Sequence, residues 1–282
     1  MAPTTTLAVL SARGAARNAG LCGSFSHATP RGIPKPVALI STCSSATTAR
    51  WRSRTLMAVQ PPGLLTLAGD HVRLEPLTLG HVPALVAAVN EEPASFRFST
   101  APDTEAAMSA WVRDALAARE AGRELPFATY SFAHERIVGS TRFYELECWR
   151  SPLESSQRDP GPDACLIGYT WLGASAQRTA CNAEAKLLML SHAFETWRVH
   201  RVAFRIDARN VRSRLAVERL GAKFEGVRRA ERLGADGAVR DSAFYSILAA
   251  EWPAVKKGLI GRLAPSRGEP GGTNRPTDRD EA

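Results

Sequence analysis

The chain has 282 residues, of which 44% are hydrophobic and 23% charged, which suits one globular domain with terminal extensions. Its net charge of +8 lies mostly at the N-terminus, since residues 1–69 hold seven Lys and Arg and no acidic residue, leaving 29 basic and 28 acidic residues elsewhere. We therefore expect no nucleic-acid partner, and the lack of any run near 18 uncharged apolar residues predicts no membrane partner.

The two ends of the chain differ from the rest in composition. Residues 1–56 are rich in Ser, Thr, Ala and Arg, as organelle transit peptides are, but "MAVQPPGLL" from Met57 looks like a natural start preceded by upstream sequence. We favour the second interpretation and expect a cytoplasmic protein, with an organelle matrix or stroma as the alternative. A folded domain is predicted at 57–263 and a disordered tail at 264–282.

The domain begins with one strand and two helices. Residues 71–77 alternate apolar and polar side chains, which predicts a strand. Thr78 can cap a helix that continues to about Asn90. A second helix begins after the N-cap residue Thr104 and stops at Gly122.

Three β-rich segments follow, at 126–133, 136–146 and 164–172. His134 and Glu135 form the turn of a hairpin between the first two, and the polar segment 147–163 is predicted to be a loop. Next come a helix at about 181–197, a strand at 200–207 and a helix from Asn210 to Gly221, which is a good helix-ending residue.

The last strands are predicted at 223–233 and 239–248, around an Asp236-Gly237 hairpin turn, before a short amphipathic segment at 251–263. The element order is therefore β-α-α-β-β-β-α-β-α-β-β. Strand–helix–strand at 165–207 implies a parallel pair with a right-handed crossover, and the hairpins imply antiparallel pairs. The predicted fold class is mixed α/β (α+β), with helices on both faces of the sheet.

The stretch "SAQRTACNAEAK" (175–186) runs from a loop into a helix without any glycine. A helix N-terminus leaves backbone N–H groups unpaired and carries partial positive charge, so it can bind a phosphate. Arg178 could add a cation, and Thr179 and Asn182 could add donors. The alternative is an ordinary helix start, with Asn182 as its cap and Arg178 solvated.

Metal chemistry has little support in the sequence. The five cysteines are odd in number and show no CxxC spacing, and the six histidines show no HExxH pattern. We expect no metal site and no disulfide framework.

Four segments in order resemble a GNAT-superfamily N-acetyltransferase, most closely the RimJ/RimL-type branch. They are "IGYTWL" (167–172), "QRTACNAEA" (177–185), "HAFETWRVHRVAFRIDARN" (192–210) and "NVRSRLAVERLGAKFEG" (210–226). The resemblance covers about residues 64–262. It implies a mostly antiparallel mixed sheet in which the parallel pair is splayed, and a loop whose N–H groups hold the pyrophosphate of acetyl-CoA.

The resemblance also implies which residues contact acetyl-CoA: Thr170, Trp171, Leu172, Gln177, Arg178, Thr179, Ala180, Cys181, Asn182, Asn210 and Ser213. The two usual loop glycines align with Arg178 and Ala180. Glycine permits close approach and positive φ, but the phosphate ligands are backbone amides. Trp171 has core packing as an equal alternative, and Asn210 can also be a helix N-cap.

Acetyl transfer to an amine needs a base for the amine and an oxyanion site for the thioester carbonyl. By resemblance, Ser213 lies near the thiol, with an ordinary first-turn helix residue as the equal alternative, while Val217 stands where many family members have a tyrosine acid. The candidate bases are Glu225, Glu231 and Glu145, each with a solvated surface carboxylate as the alternative. Phe143 and Tyr144 are candidate acceptor contacts or core residues, and the Cys181 thiol is interpreted as structural.

The sequence thus predicts an enzyme that moves the acetyl group of acetyl-CoA to a primary amine, either a protein N-terminus or a small molecule. Transfer is direct, in a ternary complex, with acetyl-CoA as co-substrate, no metal, and a monomer or homodimer as the assembly. The alternatives are a non-catalytic acyl-CoA-binding module and a transferase that uses another acyl-CoA.

Overall fold

The computed structural model describes residues 63–99, 101–149 and 161–264. Its strands are β1 (Leu67–Ala68), β2 (Val72–Pro76), β3 (Glu124–Ser131), β4 (Arg136–Glu147), β5 (Ala164–Leu172), β6 (Arg201–Asp207), β7 (Lys223–Leu233) and β8 (Val239–Leu248). Its α-helices are α1 (Val82–Val89), α2 (Glu105–Glu120), α3 (Ala180–Ser191), α4 (Val211–Leu220) and α5 (Trp252–Leu263). None of these described helices is both long and apolar enough to cross a bilayer. The extension predicted at 1–56 and nearly all of the tail predicted at 264–282 lie outside the described ranges.

The strands form one sheet in the order β1-β2-β3-β4-β5-β6-β8-β7. Only β5 and β6 are parallel, and every other neighbouring pair is antiparallel. The predicted mixed, mostly antiparallel sheet is therefore confirmed.

The parallel ladder between β5 and β6 is short. It joins Ala164–Leu166 to Arg201–Ala203 and then ends, although β5 continues to Leu172 and β6 to Asp207. The two strands consequently separate towards their carboxyl ends, as the predicted splay requires.

A β-bulge lies in β5 next to this separation. Ser140 pairs with Trp171 and Arg142 with Gly168, so Tyr169 and Thr170 together oppose the single residue Thr141. Tyr169 has φ of 50°, in the left-handed region that residues with a Cβ seldom adopt. Bulges of this kind bend a strand and redirect its side chains.

Alternation along the strands divides the core between two faces. One cluster, which includes Phe127, Val138 and Leu172, packs against α3, α4 and α5. The other, which includes Ala128, Ile137 and Trp171, packs against α1 and α2. Helices therefore cover both faces, as predicted.

Several local signals in the sequence are confirmed. The Thr104 hydroxyl caps α2 by accepting a hydrogen bond from Ala107 N at 3.4 Å, and Gly221 ends α4 with φ of 99°. Gly237 has φ of 73° in the β7–β8 turn. The helix predicted at about 181–197 is instead α3 followed by a π-helical turn at His192–Thr196, and the short β1 was not predicted.

Candidate active site

The helices α3 and α4 begin at the same edge of the sheet. Each follows one strand of the parallel β5–β6 pair, and the carboxyl ends of parallel strands share an edge where α/β proteins commonly bind ligands. Arg212, in the first turn of α4, donates from Nη1 to Gln177 Oε1 at 3.1 Å and from Nη2 to Ser95 O at 2.7 Å. These bonds join the start of α4 to the loop that precedes α3.

The loop before α3 is shaped by its own polar side chains. Thr179 Oγ1 accepts from Cys181 N at 3.2 Å and donates to Ala176 O at 2.7 Å, so Thr179 is the N-cap of the helix. Gln177 Nε2 donates to Leu172 O at 2.9 Å, which ties the loop to the end of β5. The alternative in which Asn182 caps the helix is wrong, because Asn182 lies inside the first turn.

Arg178 adopts the backbone conformation for which glycine is usual. Its φ is 61°, in the left-handed region. Its side chain is exposed, and among the described residues it makes no hydrogen bond or ion pair. Arg178 thus forms a turn for which glycine is usual, and its guanidinium adds a cation beside the N-terminus of α3.

The α4 side of the opening holds Asn210 and Ser213. Asn210 Oδ1 accepts from Ser213 N at 3.0 Å, so the N-cap role predicted for Asn210 is confirmed, and its amide group keeps its donors. The Ser213 side chain is half-buried in the first turn. Val217 lies in the core beneath α4, so no acid occupies that position.

On the β5 side, only one of the three predicted contact residues presents its side chain to the opening. Thr170 is exposed, whereas Leu172 is buried in the core. Trp171 packs edge-on against Phe96 and Trp111 at ring-centroid distances of 5.8 and 6.4 Å, which is the core-packing alternative.

Lys186 was missed by sequence reasoning. Its Nζ donates to Thr141 Oγ1 at 2.9 Å and to Thr170 Oγ1 at 2.7 Å, beneath the β5 bulge. Burial lowers the pKa of Lys186 to about 7. Helical spacing could have found it, because Met189 and Leu190, three and four residues later, are core residues on the same side of α3.

Glu184 was also missed. Its carboxylate accepts hydrogen bonds from the N–H groups of Asp70, His71 and Val72 at 2.8, 2.6 and 2.7 Å. A buried carboxylate requires such partners. Glu184 therefore fixes α3, and with it the loop that precedes α3, against the start of β2.

The candidate acceptor contacts Phe143 and Tyr144 lie on opposite faces of β4. Phe143 has no exposed surface and packs against Trp197 at 4.7 Å on the α3 face, which is the core alternative. Tyr144 lies on the other face, 5.2 Å from the Tyr169 ring, and burial raises the pKa of Tyr144 to about 12.

Two of the three candidate bases are brought together, at Arg205. Glu145 and Glu231 bind the same guanidinium of Arg205, with N–O distances of 2.8 and 3.5 Å, while Glu225 is exposed on β7. Burial acts to raise the pKa of Glu231, but hydrogen bonds from Arg232 and Ser242 outweigh it and hold the pKa below its usual value. Glu231 is therefore a weak base.

A family model described as an acetyltransferase (GNAT) domain matches residues 71–223, more than half of the chain. The chain belongs to the GNAT acetyltransferase family. This membership confirms an acyltransferase enzyme over a non-catalytic acyl-CoA-binding module. A search of curated proteins found no match.

Solved structures agree with this GNAT assignment. A GCN5-related N-acetyltransferase from Brucella melitensis is 29% identical with a TM-score of 0.60, over 73% of this chain and 88% of that chain. A proposed acetyltransferase from T. thermophilus is 37% identical with a TM-score of 0.57, over 70% and 96%. Mycobacterium smegmatis RimJ in complex with CoA-disulfide, 19% identical with a TM-score of 0.57 over 73% and 96%, shares the fold.

The positive φ of Arg178 predicts the order of stability of two variants. Arg178→Gly and Arg178→Ala both remove the cation, but only glycine adopts φ of 61° without steric cost. We expect the glycine variant to be more stable by about 1 kcal/mol in urea unfolding. If residue 178 had an ordinary helical φ, the glycine variant would be less stable than the alanine variant. A less stable glycine variant would therefore contradict the positive φ of Arg178.

Burial of Lys186 predicts a pH-dependent gain from Lys186→Met. The pKa is about 7 in the folded chain against an ordinary 10.5, so between these values the unfolded chain binds the extra proton and wild-type stability rises with pH. The gain of the methionine variant over wild type should be largest below pH 7 and should fall by up to about 5 kcal/mol towards pH 10.5. Urea unfolding from pH 6 to 10.5 measures it, with the exposed Lys257→Met as control; a gain independent of pH would contradict the shift.

Proposed function

We propose that this acetyltransferase uses acetyl-CoA to acetylate a primary amine, by direct transfer in a ternary complex. The observation that carries the proposal is the separation of β5 from β6 where two helix N-termini meet. At one end of such an opening, the unpaired backbone groups of a strand can bind an extended ligand. At the other end, the positive charge of the helix N-termini can bind phosphate.

The pyrophosphate end of acetyl-CoA fits the start of α3. Backbone N–H groups of Ala180 and Asn182 lie in the first turn, which is a favourable position for an anion, whereas that of Cys181 donates to the N-cap hydroxyl of Thr179. The unpaired Arg178 guanidinium and that of Arg212 add two cations to this end of the opening. Asn210 and Ser213 face it from α4. Gln177 and Thr179 contribute by shaping the loop, since their side chains bind protein atoms.

The pantetheine and thioester fit the gap between the strands. From Thr170 to Leu172 the β6-facing side of β5 lies beyond the parallel ladder, so an extended chain can add there as a strand would. Backbone N–H groups in the same segment can stabilise the oxyanion that forms at the thioester carbonyl.

The acceptor amine is proposed to reach the thioester through the opening beside Thr170. The partly exposed Tyr169 borders Thr170 in the β5 bulge and stacks on the Arg142 guanidinium at 4.0 Å, whereas Tyr144 is buried. The RimJ/RimL-like segments support a protein N-terminus as the first acceptor to test.

Release of free CoA tests this function. Purified protein with acetyl-CoA should release CoA with at least one amine from a panel of N-terminal peptides, polyamines, amino acids and aminoglycosides. Acetylated amine should form in equal amount by mass spectrometry. Acetyl-CoA that binds, as shown by calorimetry, while no amine yields CoA would contradict the amine acceptor. Faster turnover of another acyl-CoA would contradict the donor.

The role of the free cation is tested by Arg178→Glu. If Arg178 lies beside the pyrophosphate, charge reversal should weaken binding of CoA about 10-fold or more in calorimetry, and added salt should reduce the difference. Arg178→Gly keeps the backbone turn and removes only the cation, so it should have a smaller effect. If wild type, Arg178→Glu and Arg178→Gly bind CoA with equal affinity, the Arg178 side chain is solvated and does not contact the pyrophosphate.

A further inference from the structure

The feature that the proposed function leaves unused is a closed triangle of hydrogen bonds under the β5 bulge. Lys186 Nζ lies 2.9 Å from Thr141 Oγ1 and 2.7 Å from Thr170 Oγ1, and the two hydroxyl oxygens are 2.8 Å apart. The lysine comes from α3, Thr141 from β4 and Thr170 from the bulge in β5. Three elements thus meet at one amine.

This amine has no counter-ion. Among the described residues, no carboxylate lies within 4 Å of Nζ. Glu184, on the same helix, has its carboxylate bound by the N–H groups of residues 70–72. Arg142 on β4 lies on the opposite face of the sheet, between the Trp111 ring of α2 and the Tyr169 ring of β5.

Two other cations on elements packed against α3 are paired. Lys256 on α5 pairs with Glu195 at 2.6 Å, and Arg73 on β2 pairs with Glu75, while Lys257 on α5 is exposed. Burial raises the pKa of the Cys165 thiol on β5 and lowers the pKa of His192, which follows α3, so burial favours the neutral form of both. With no charge to offset burial, Lys186 loses its proton near pH 7, and its one lone pair can then accept a hydrogen bond from one of the two hydroxyl groups.

Only one corner of the triangle reaches the opening. Lys186 is 3% exposed and Thr141 is 1% exposed, whereas Thr170 is exposed on the part of β5 that has left β6. A proton can therefore pass between Lys186 and a molecule in the opening through the Thr170 hydroxyl. Of the other candidates, Val217 cannot ionise, Glu145 and Glu231 are bound to Arg205, and Glu225 is exposed on β7.

We propose that Lys186 takes up, through the Thr170 hydroxyl, the proton that the acceptor ammonium must lose, and afterwards returns it to the thiolate of CoA. The inference rests on the proposed function. In the first step Thr170 Oγ1 gains a proton from the ammonium as its own hydroxyl proton passes to Nζ. After the amine nitrogen has bonded to the acetyl carbon and the carbon–sulfur bond has broken, the same path runs in reverse and forms the thiol. The second proton of the amine leaves to water, so one proton is released per acetyl group transferred.

A group that titrates near neutral pH suits both directions of this exchange, because it accepts and donates with similar ease. This role also gives a reason for a lysine at position 186, where an apolar side chain would be buried at a lower free-energy cost.

Lysine NMR tests the relay without an acceptor. The chain has five lysines, so ¹³Cε-labelled protein gives few signals, and Lys186→Met identifies the one of interest. We expect its signal to titrate near pH 7 and to shift when CoA is added, and we expect that response to be lost in Thr170→Val. Titration above pH 10, or no response to bound CoA, would overturn the relay.

Kinetics with the best amine of the panel gives the second test. Wild-type kcat/KM should rise with pH through about 7. The variants Lys186→Met and Thr170→Val should lose this rise, and their kcat should be about 100-fold lower, with little change in the KM for acetyl-CoA. Thr170→Ser, which keeps the hydroxyl, and Lys257→Met, on the surface of α5, should both retain the rise. An unchanged rise in Lys186→Met would overturn the relay alone, whereas no CoA release by wild type with any amine would overturn the proposed function.

Discussion

The short parallel ladder between β5 and β6 is the constraint on which the site depends. Three residues of each strand hold the two halves of the sheet together, and everything beyond them is free to separate. Beyond the ladder a bulge turns β5 at Tyr169 and Thr170, while β6 remains paired with β8 along its whole length. The separated ends then place two helix N-termini beside one opening.

Helix α3 connects this opening to the rest of the fold. Thr179 caps it, Glu184 binds it to the start of β2, and Lys186 contacts both strands that border the bulge. Each of these polar groups has its hydrogen-bond partner, as buried polar groups must. One helix therefore sets the position of the loop before it and of the only buried lysine among the described residues.

Much of this arrangement follows from the sequence. Alternating apolar residues, Thr104, Gly221 and Asp236-Gly237 locate the main elements, and the strand–helix–strand segment gives the parallel pair. What pattern reasoning could not supply are features made by distant contacts. The bulge at Tyr169 depends on register with β4, and Glu184 and Lys186 resemble solvated helix residues until their partners on other strands are known. Phe143 and Tyr144 are adjacent in sequence and both buried, and only the pleat of β4 decides that the first packs on the α3 face and the second on the opposite face.

Hydrogen–deuterium exchange with and without acetyl-CoA tests the central claim most directly, because it reports on the backbone of the opening whatever the acceptor is. We predict slower exchange on binding in two segments, 168–172 in β5 and 178–183 at the start of α3, with little change in β1, β2 or β7. Binding of acetyl-CoA that leaves both segments unprotected would contradict the account.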